Sequence, residues 1–216
     1  MTLAMWHIEI DLILTWLRIN IMNRKLILRR ARQFAITVGL SMGLNLLTNV
    51  VVADIPYFEF PSIDGGYLDT QEWRGRPYLV VNTASRCGFT GQYADMQKLF
   101  NKYRDKGFIL LAIPSDDFNQ ELSTDAEVKD FCELNYELDM PMTSRLSIRG
   151  SEAHPFYNAV KSEGGFVPVW NFSKVLIGVD GKLLGTWGPL TSPMSPKITK
   201  VLEATLAVSS KIEDTY

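Results

Sequence analysis

The sequence predicts an α/β fold, with a central mixed sheet and helices on both faces. Three observations carry that prediction. Two short runs, Tyr78–Asn82 (YLVVN) and Phe108–Ile113 (FILLAI), are continuously apolar or nearly so, the mark of strands buried on both faces. Between them lies a stretch with apolar residues at helical spacing. Near the carboxyl end, two further apolar runs flank Asp180-Gly181, a strong short-range hairpin signal.

The elements follow in order. After the strand Tyr78–Asn82, residues 91–106 place Tyr93, Met96, Leu99, Phe100 and Tyr103 three or four apart, and Gly107 ends that helix. Phe108–Ile113 is the second buried strand, stopped by Pro114. Ser123-Thr124-Asp125-Ala126-Glu127 supplies a capping start for a helix through Val128, Phe131, Cys132 and Leu134. Arg145–Ile148 reads as strand-like, and a helix opens near Pro155. Val175–Val179 and Leu183–Trp187 form the hairpin, and Ile198–Val208 is a closing helix. Parallel strands joined by right-handed helical crossovers, with an antiparallel pair at one side, give a sheet covered on both faces. A thioredoxin-like arrangement is the smallest fold with that pattern, and a fold alone assigns no function.

Residues 1–53 read as an address ahead of a single domain at 54–216. A basic stretch from Asn23 to Arg32 precedes Gln33–Ala53, twenty-one residues without a charge, and Val51-x-Ala53 ends the run before Asp54. That order matches a secretory signal and predicts a periplasmic or secreted protein; a retained membrane anchor is the rival reading. Asn45, Thr48 and Asn49 make the far end polar, which suits cleavage better than hydrocarbon. Arg29-Arg30 is a weak match to twin-arginine export. Glu9 and Asp11 sit where a signal carries positive charge, so residues 1–21 fit poorly and Met22 is a candidate start.

Of the 22 basic and 24 acidic residues, six and two fall in residues 1–53, leaving sixteen against 22 for the body. A mildly acidic body argues against a nucleic-acid surface. His7 and His154 are the two histidines, which makes a His-rich metal site improbable. Cys87 and Cys132 are too few for a disulfide-built scaffold and enough for redox chemistry. Cys87 follows a buried strand and precedes a helix, where free N–H groups and the helix dipole favour the thiolate. A lone cysteine is more often a small buried hydrophobe, but the polar loop of small residues argues for a reactive one. No C-x-x-C is present, and His154, in Ala153-His154-Pro155, reads as a structural residue at a helix start. A thiolate without a partner base suits peroxides, whose O–O bond is weak.

The stretch Asn82-Thr83-Ala84-Ser85-Arg86-Cys87-Gly88-Phe89-Thr90 closely resembles the active-site loop of the glutathione peroxidase family, and Trp170-Asn171-Phe172 resembles its second signature. The resemblance covers roughly Ile55 to Leu206. It implies that Cys87 is the peroxidatic residue, with the Trp170 indole N–H and the Asn171 carboxamide aimed at its sulfur. The indole N–H and the carboxamide N–H₂ both donate toward an anion and cannot take a proton from it. Adjacent residues of a strand point to opposite faces, so a local bend is implied there. The family's fourth site residue is a glutamine in Pro-x-Asn-Gln-Phe; here Pro114-Ser115-Asp116-Asp117-Phe118 puts Asp117 at that position and favours it for the role, with nearby Gln120 the rival. A carboxylate beside the sulfur would raise both pKa values.

Cys132 stands where non-animal members keep a resolving cysteine, which implies a Cys87 sulfenic acid condensing with Cys132 to a disulfide. The α-carbons must come within roughly 7 Å, so the Cys132 helix must unwind locally. A thioredoxin-like dithiol or glutathione would then reduce the disulfide. The short connection Leu138–Thr143 favours a monomer, and no cofactor or metal is implied. The alternatives are a non-catalytic redox relay or sensor acting on a partner protein and, less well matched, a copper chaperone. Export and thiol turnover stand in tension, because an oxidising compartment must be supplied with reductant.

Overall fold

The computed structural model describes residues 54–213. The expectations for residues 1–53 lie outside the described residues. A short antiparallel hairpin, β1 (Glu59–Pro61) and β2 (Tyr67–Asp69), comes first, followed by a 3₁₀ turn at Thr70–Trp73. Then come β3 (Tyr78–Thr83), α1 (Gln92–Tyr103), β4 (Ile109–Pro114), α2 (Asp125–Tyr136), α3 (Pro155–Gly164), β5 (Lys174–Ile177), β6 (Leu183–Trp187) and α4 (Pro196–Glu213). The main sheet has the order β4-β3-β5-β6; β3 pairs parallel with β4 and antiparallel with β5, and β6 is antiparallel to β5. It is the mixed α/β sheet that the pattern predicts.

Alternation along the central strands sorts the core into two layers. Leu79, Val81, Leu110, Ala112 and Leu176 face one layer with Tyr93, Met96 and Leu99 of α1, Val128 and Cys132 of α2, and Ile198 and Leu202 of α4. Tyr78, Val80, Ile109, Leu111, Ile113, Val175 and Ile177 face the other, with Phe60, Trp73 and Phe156, Tyr157 and Val160 of α3. Burial on both faces explains why β3 and β4 carry no polar alternation.

Local chemistry sets the ends. α1 gives way after Tyr103 to a 3₁₀ turn, Arg104–Lys106, closed by Gly107 at φ 87°. Thr124 caps α2 in a complete capping box with Glu127. Pro114 is the last residue of β4 rather than the first beyond it, so its missing N–H falls where the ladder ends. The β5–β6 connection spans 178–182: Gly178 N–H donates to Lys182 O across three residues, and Gly181 takes φ 78°. The Asp180-Gly181 signal therefore belongs to a bulged loop, not a two-residue turn. Arg145–Ile148 is not a strand. Its backbone groups go elsewhere: Leu146 N–H to Pro114 O, Ser147 O to His154 N–H, and Ile148 N–H to the Asp117 side chain. α4 runs longer than the expected Ile198–Val208. Among the described residues, no helix is long and apolar enough to cross a membrane.

Candidate active site

Cys87 lies in the turn between β3 and α1, with 8% of its surface exposed. Thr90 builds that turn. Its Oγ1 accepts the Cys87 N–H at 3.0 Å and shares its one proton between Cys87 O (2.6 Å) and Ala84 O (3.0 Å). The result points the Phe89 N–H at Cys87 Sγ, 3.4 Å away. Gly91 precedes α1 without a capping side chain, and the N–H groups of Gln92, Tyr93 and Ala94 go to Phe89 O, Thr90 O and Gly91 O. Arg86 is exposed.

Two distant segments are tied to this loop. Asn82, near the end of β3, donates from Nδ2 to Trp170 O (3.2 Å) and accepts the Ser173 N–H at Oδ1 (3.0 Å) and the Phe172 N–H at its backbone O (2.6 Å). The bend expected at Trp170-Asn171 is present as Phe172 at φ 61°, a left-handed conformation rare outside glycine. Trp170 is 38% exposed, its ring tilted against Phe118 with centroids 5.2 Å apart. Asn171 is fully buried and donates from Nδ2 to Gln120 Oε1 at 3.0 Å. The second segment is the loop after β4: Arg86 N–H donates to Gln120 O (2.9 Å), and Ser85 N–H to Glu121 Oε1 (2.9 Å).

The structure therefore gathers Cys87, Trp170, Asn171 and Gln120 on segments tied to one another. Asp117 is turned away: its Oδ2 accepts the N–H groups of Ile148 (2.7 Å) and Arg149 (3.1 Å). Gln120, not Asp117, meets Asn171. His154 caps α3, accepting Phe156 N–H at Nδ1, with Nε2 3.1 Å from Glu59 O, and its ring stacks on Phe60. Burial lowers its pKa and favours the neutral ring.

Cys132 is buried on α2, and both cysteines are free thiols. Burial pushes the Cys132 thiol up to about 12, with the Glu121 and Glu133 charges acting the same way. It also lines a cavity of about 100 Å³ with Ile63, Lys129, Leu138, Met140 and Met142. Sequence reasoning missed three polar residues here. Asn82 lies within a quoted motif but received no role, Glu121 follows Gln120 and was not singled out, and Tyr93 was read as core. Among the described residues, no cluster of His, Cys, Asp or Glu could hold a metal ion.

This arrangement is a thiol at a sheet-to-helix corner, with a backbone donor on its sulfur and an Asn171–Gln120 carboxamide pair on segments tied to its loop. The glutathione peroxidase family model matches residues 55–161. A glutathione peroxidase of Lactococcus lactis subsp. cremoris is 35% identical over 156 residues, spanning 68% of this chain and 99% of that protein. Glutathione peroxidase-like peroxiredoxin 2 of Saccharomyces cerevisiae is 40% identical over 128 residues, 56% of this chain and 79% of its own. The crystal structure of T. cruzi GPX1 superposes with a TM-score of 0.55 at 30% identity, covering 69% of this chain and 94% of that one. The chain belongs to the glutathione peroxidase family, with its thioredoxin-like fold, and is a thiol peroxidase that reduces hydroperoxides.

Proposed function

We propose that Cys87 is the thiol that attacks hydrogen peroxide and organic hydroperoxides, and that Cys132 resolves the product. The observation that carries this reading is the Phe89 N–H on Cys87 Sγ at the corner to which the Asn171 and Gln120 segments are tied. Donors fixed around a sulfur favour its anion without being able to protonate it. Cys87 thiolate attacks one peroxide oxygen; the O–O bond breaks, and the other oxygen leaves with a proton as water or alcohol. Cys87 becomes a sulfenic acid. Gln120 holds Asn171 in place and takes the role that the sequence offered to Asp117.

Cys132 then attacks the Cys87 sulfur, the S–O bond breaks, and water leaves. α2 has to loosen for this, and the cavity beside Cys132 lowers the packing lost when it does. A thioredoxin-like dithiol, or glutathione, returns both thiols by exchange, and the protein works as a monomer. Export or anchoring through residues 1–53 rests on their basic-then-apolar pattern; sequencing the amino terminus of the mature protein decides it.

The test is hydroperoxide consumption with thioredoxin or with glutathione as reductant. Cys87→Ser should abolish turnover with both. One equivalent of peroxide should lower the mass of the intact protein by two hydrogens, whereas Cys132→Ser should stop at a sulfenic acid open to trapping. A Cys87→Ser protein that still consumes peroxide at the parent's rate would end the proposal.

A further inference from the structure

Lys174 is the first residue of β5, and it is completely buried. Residues two apart on a strand share a face, so Lys174 points the way Leu176 does, toward the layer covered by α1. Val81 of β3 and Trp187 of β6 flank it in the sheet. Its ammonium donates to two uncharged oxygens, Gln92 Oε1 and Thr191 O, each at 2.6 Å. The charged group facing it is Asp95 of α1, which accepts the Ser192 hydroxyl at 2.8 Å and pairs with Lys98 at 3.6 Å. Burial lowers the Lys174 pKa to about 7. An ammonium sealed among uncharged partners costs stability, so packing alone gives no reason for it.

Its partner Gln92 opens α1, five residues after Cys87, and is held at three atoms. The Gln92 backbone N–H donates to Phe89 O (2.8 Å), Nε2 donates to Pro189 O (2.7 Å), and Oε1 accepts from Lys174. Phe89 is the residue whose own N–H rests on Cys87 Sγ. Asn82, five residues before Cys87, is tied to Trp170, Phe172 and Ser173. Segment 170–174 therefore grips the Cys87 loop at both ends, through Asn82 on the β3 side and through Gln92 on the α1 side.

We propose that Lys174 is a positioning residue of the peroxide step, whose ammonium fixes Gln92 and, through it, the Phe89 peptide that presents its N–H to the reacting sulfur. This rests on Cys87 being the thiol that attacks peroxide. Lys174 acts through Gln92 and takes no part in making or breaking bonds. A donor favours the sulfur anion only while its N–H stays aimed at the sulfur. Loosening the Phe89 peptide therefore slows the attack without any change to Cys87 itself.

The experiment mixes the reduced full chain with hydrogen peroxide and follows loss of the Cys87 thiol by alkylation quench and mass analysis. Lys174→Met keeps an unbranched side chain and removes its donors, whereas Gln92→Ala keeps the ammonium and removes its hold on α1. Each should slow the step roughly tenfold. The double variant should be no slower than the slower single, because both changes break one contact. Rates that multiply in the double variant overturn the proposal. So does a Gln92→Ala protein as fast as the parent, since Lys174 would then act by its charge alone. A pH profile adds a readout that packing does not move. The ratio of the parent's rate constant to that of Lys174→Met should be largest below pH 7 and shrink above it, as the ammonium gives up its proton. A ratio that stays flat with pH refutes the role. Should Lys174→Met not fold, as circular dichroism would show, Gln92→Ala alone decides by its rate. If the parent's Cys87 is not oxidised at all, the reading beneath the proposal has failed instead, and the same mass spectra show it.

Discussion

Asp117 and Gln120 exchange the places that the motif suggests. A loop carries no period from which a shifted register can be read. Only contacts from far along the chain decide it: Ile148 and Arg149 take Asp117, while Arg86 and Asn171 take Gln120. Asp117→Ala should therefore cost stability, about 1–2 kcal/mol for two lost charge-assisted hydrogen bonds, and leave most of the peroxide rate. Gln120→Ala should do the reverse and slow the peroxide step roughly tenfold, because the acceptor that fixes the Asn171 carboxamide is lost. Denaturant midpoints and stopped-flow oxidation of the two variants check both halves. Cys87, by contrast, was readable at once, since a strand-turn-helix corner is written in consecutive residues.

Helices and strands were readable wherever their causes are local. The capping box of α2 and the doubly apolar strands β3 and β4 follow from neighbours in sequence. Arg145–Ile148 fails because its partners are an aspartate and a proline carbonyl some thirty residues away. Thr124→Ala should lower stability by about 1 kcal/mol through the lost cap. It should also speed disulfide closure, up to about fivefold, if α2 must loosen to deliver Cys132. Urea unfolding and quenched mass analysis report the two effects. β5 holds a second local surprise, Lys174, fully buried with Nζ 2.6 Å from both Gln92 Oε1 and Thr191 O. Burial lowers its pKa to about 7. The unfolded chain binds that proton more tightly, so Lys174 costs stability most below pH 7, and the cost fades as pH rises toward the ordinary lysine range. Stability should climb between pH 7 and 9 by at most about 1.4 kcal/mol per pH unit, and Lys174→Met should flatten that rise. Matching slopes in parent and variant would rule it out.

Across the whole molecule, the layers were readable and the site only in part. Alternation assigns each side chain of β3 and β4 to a layer, but three stretches separated by tens of residues are tied together at the Cys87 loop, and no periodicity says which atoms meet. Asn82 joins two of them and looks, in sequence, like the ordinary end of a strand. The same long-range closure makes the oxidised state distinguishable from the reduced one. Formation of the Cys87–Cys132 disulfide should reduce the helical signal in circular dichroism, and Cys132→Ser should keep it after peroxide.

The sealed amine of Lys174 also offers a ruler for native packing that is independent of turnover. Reductive methylation should modify the exposed lysines of the folded protein and skip this one, then reach it once denaturant opens the strand that holds it. A peptide map of that single position would thus report whether any variant above still keeps its interior closed, before a single peroxide molecule is added.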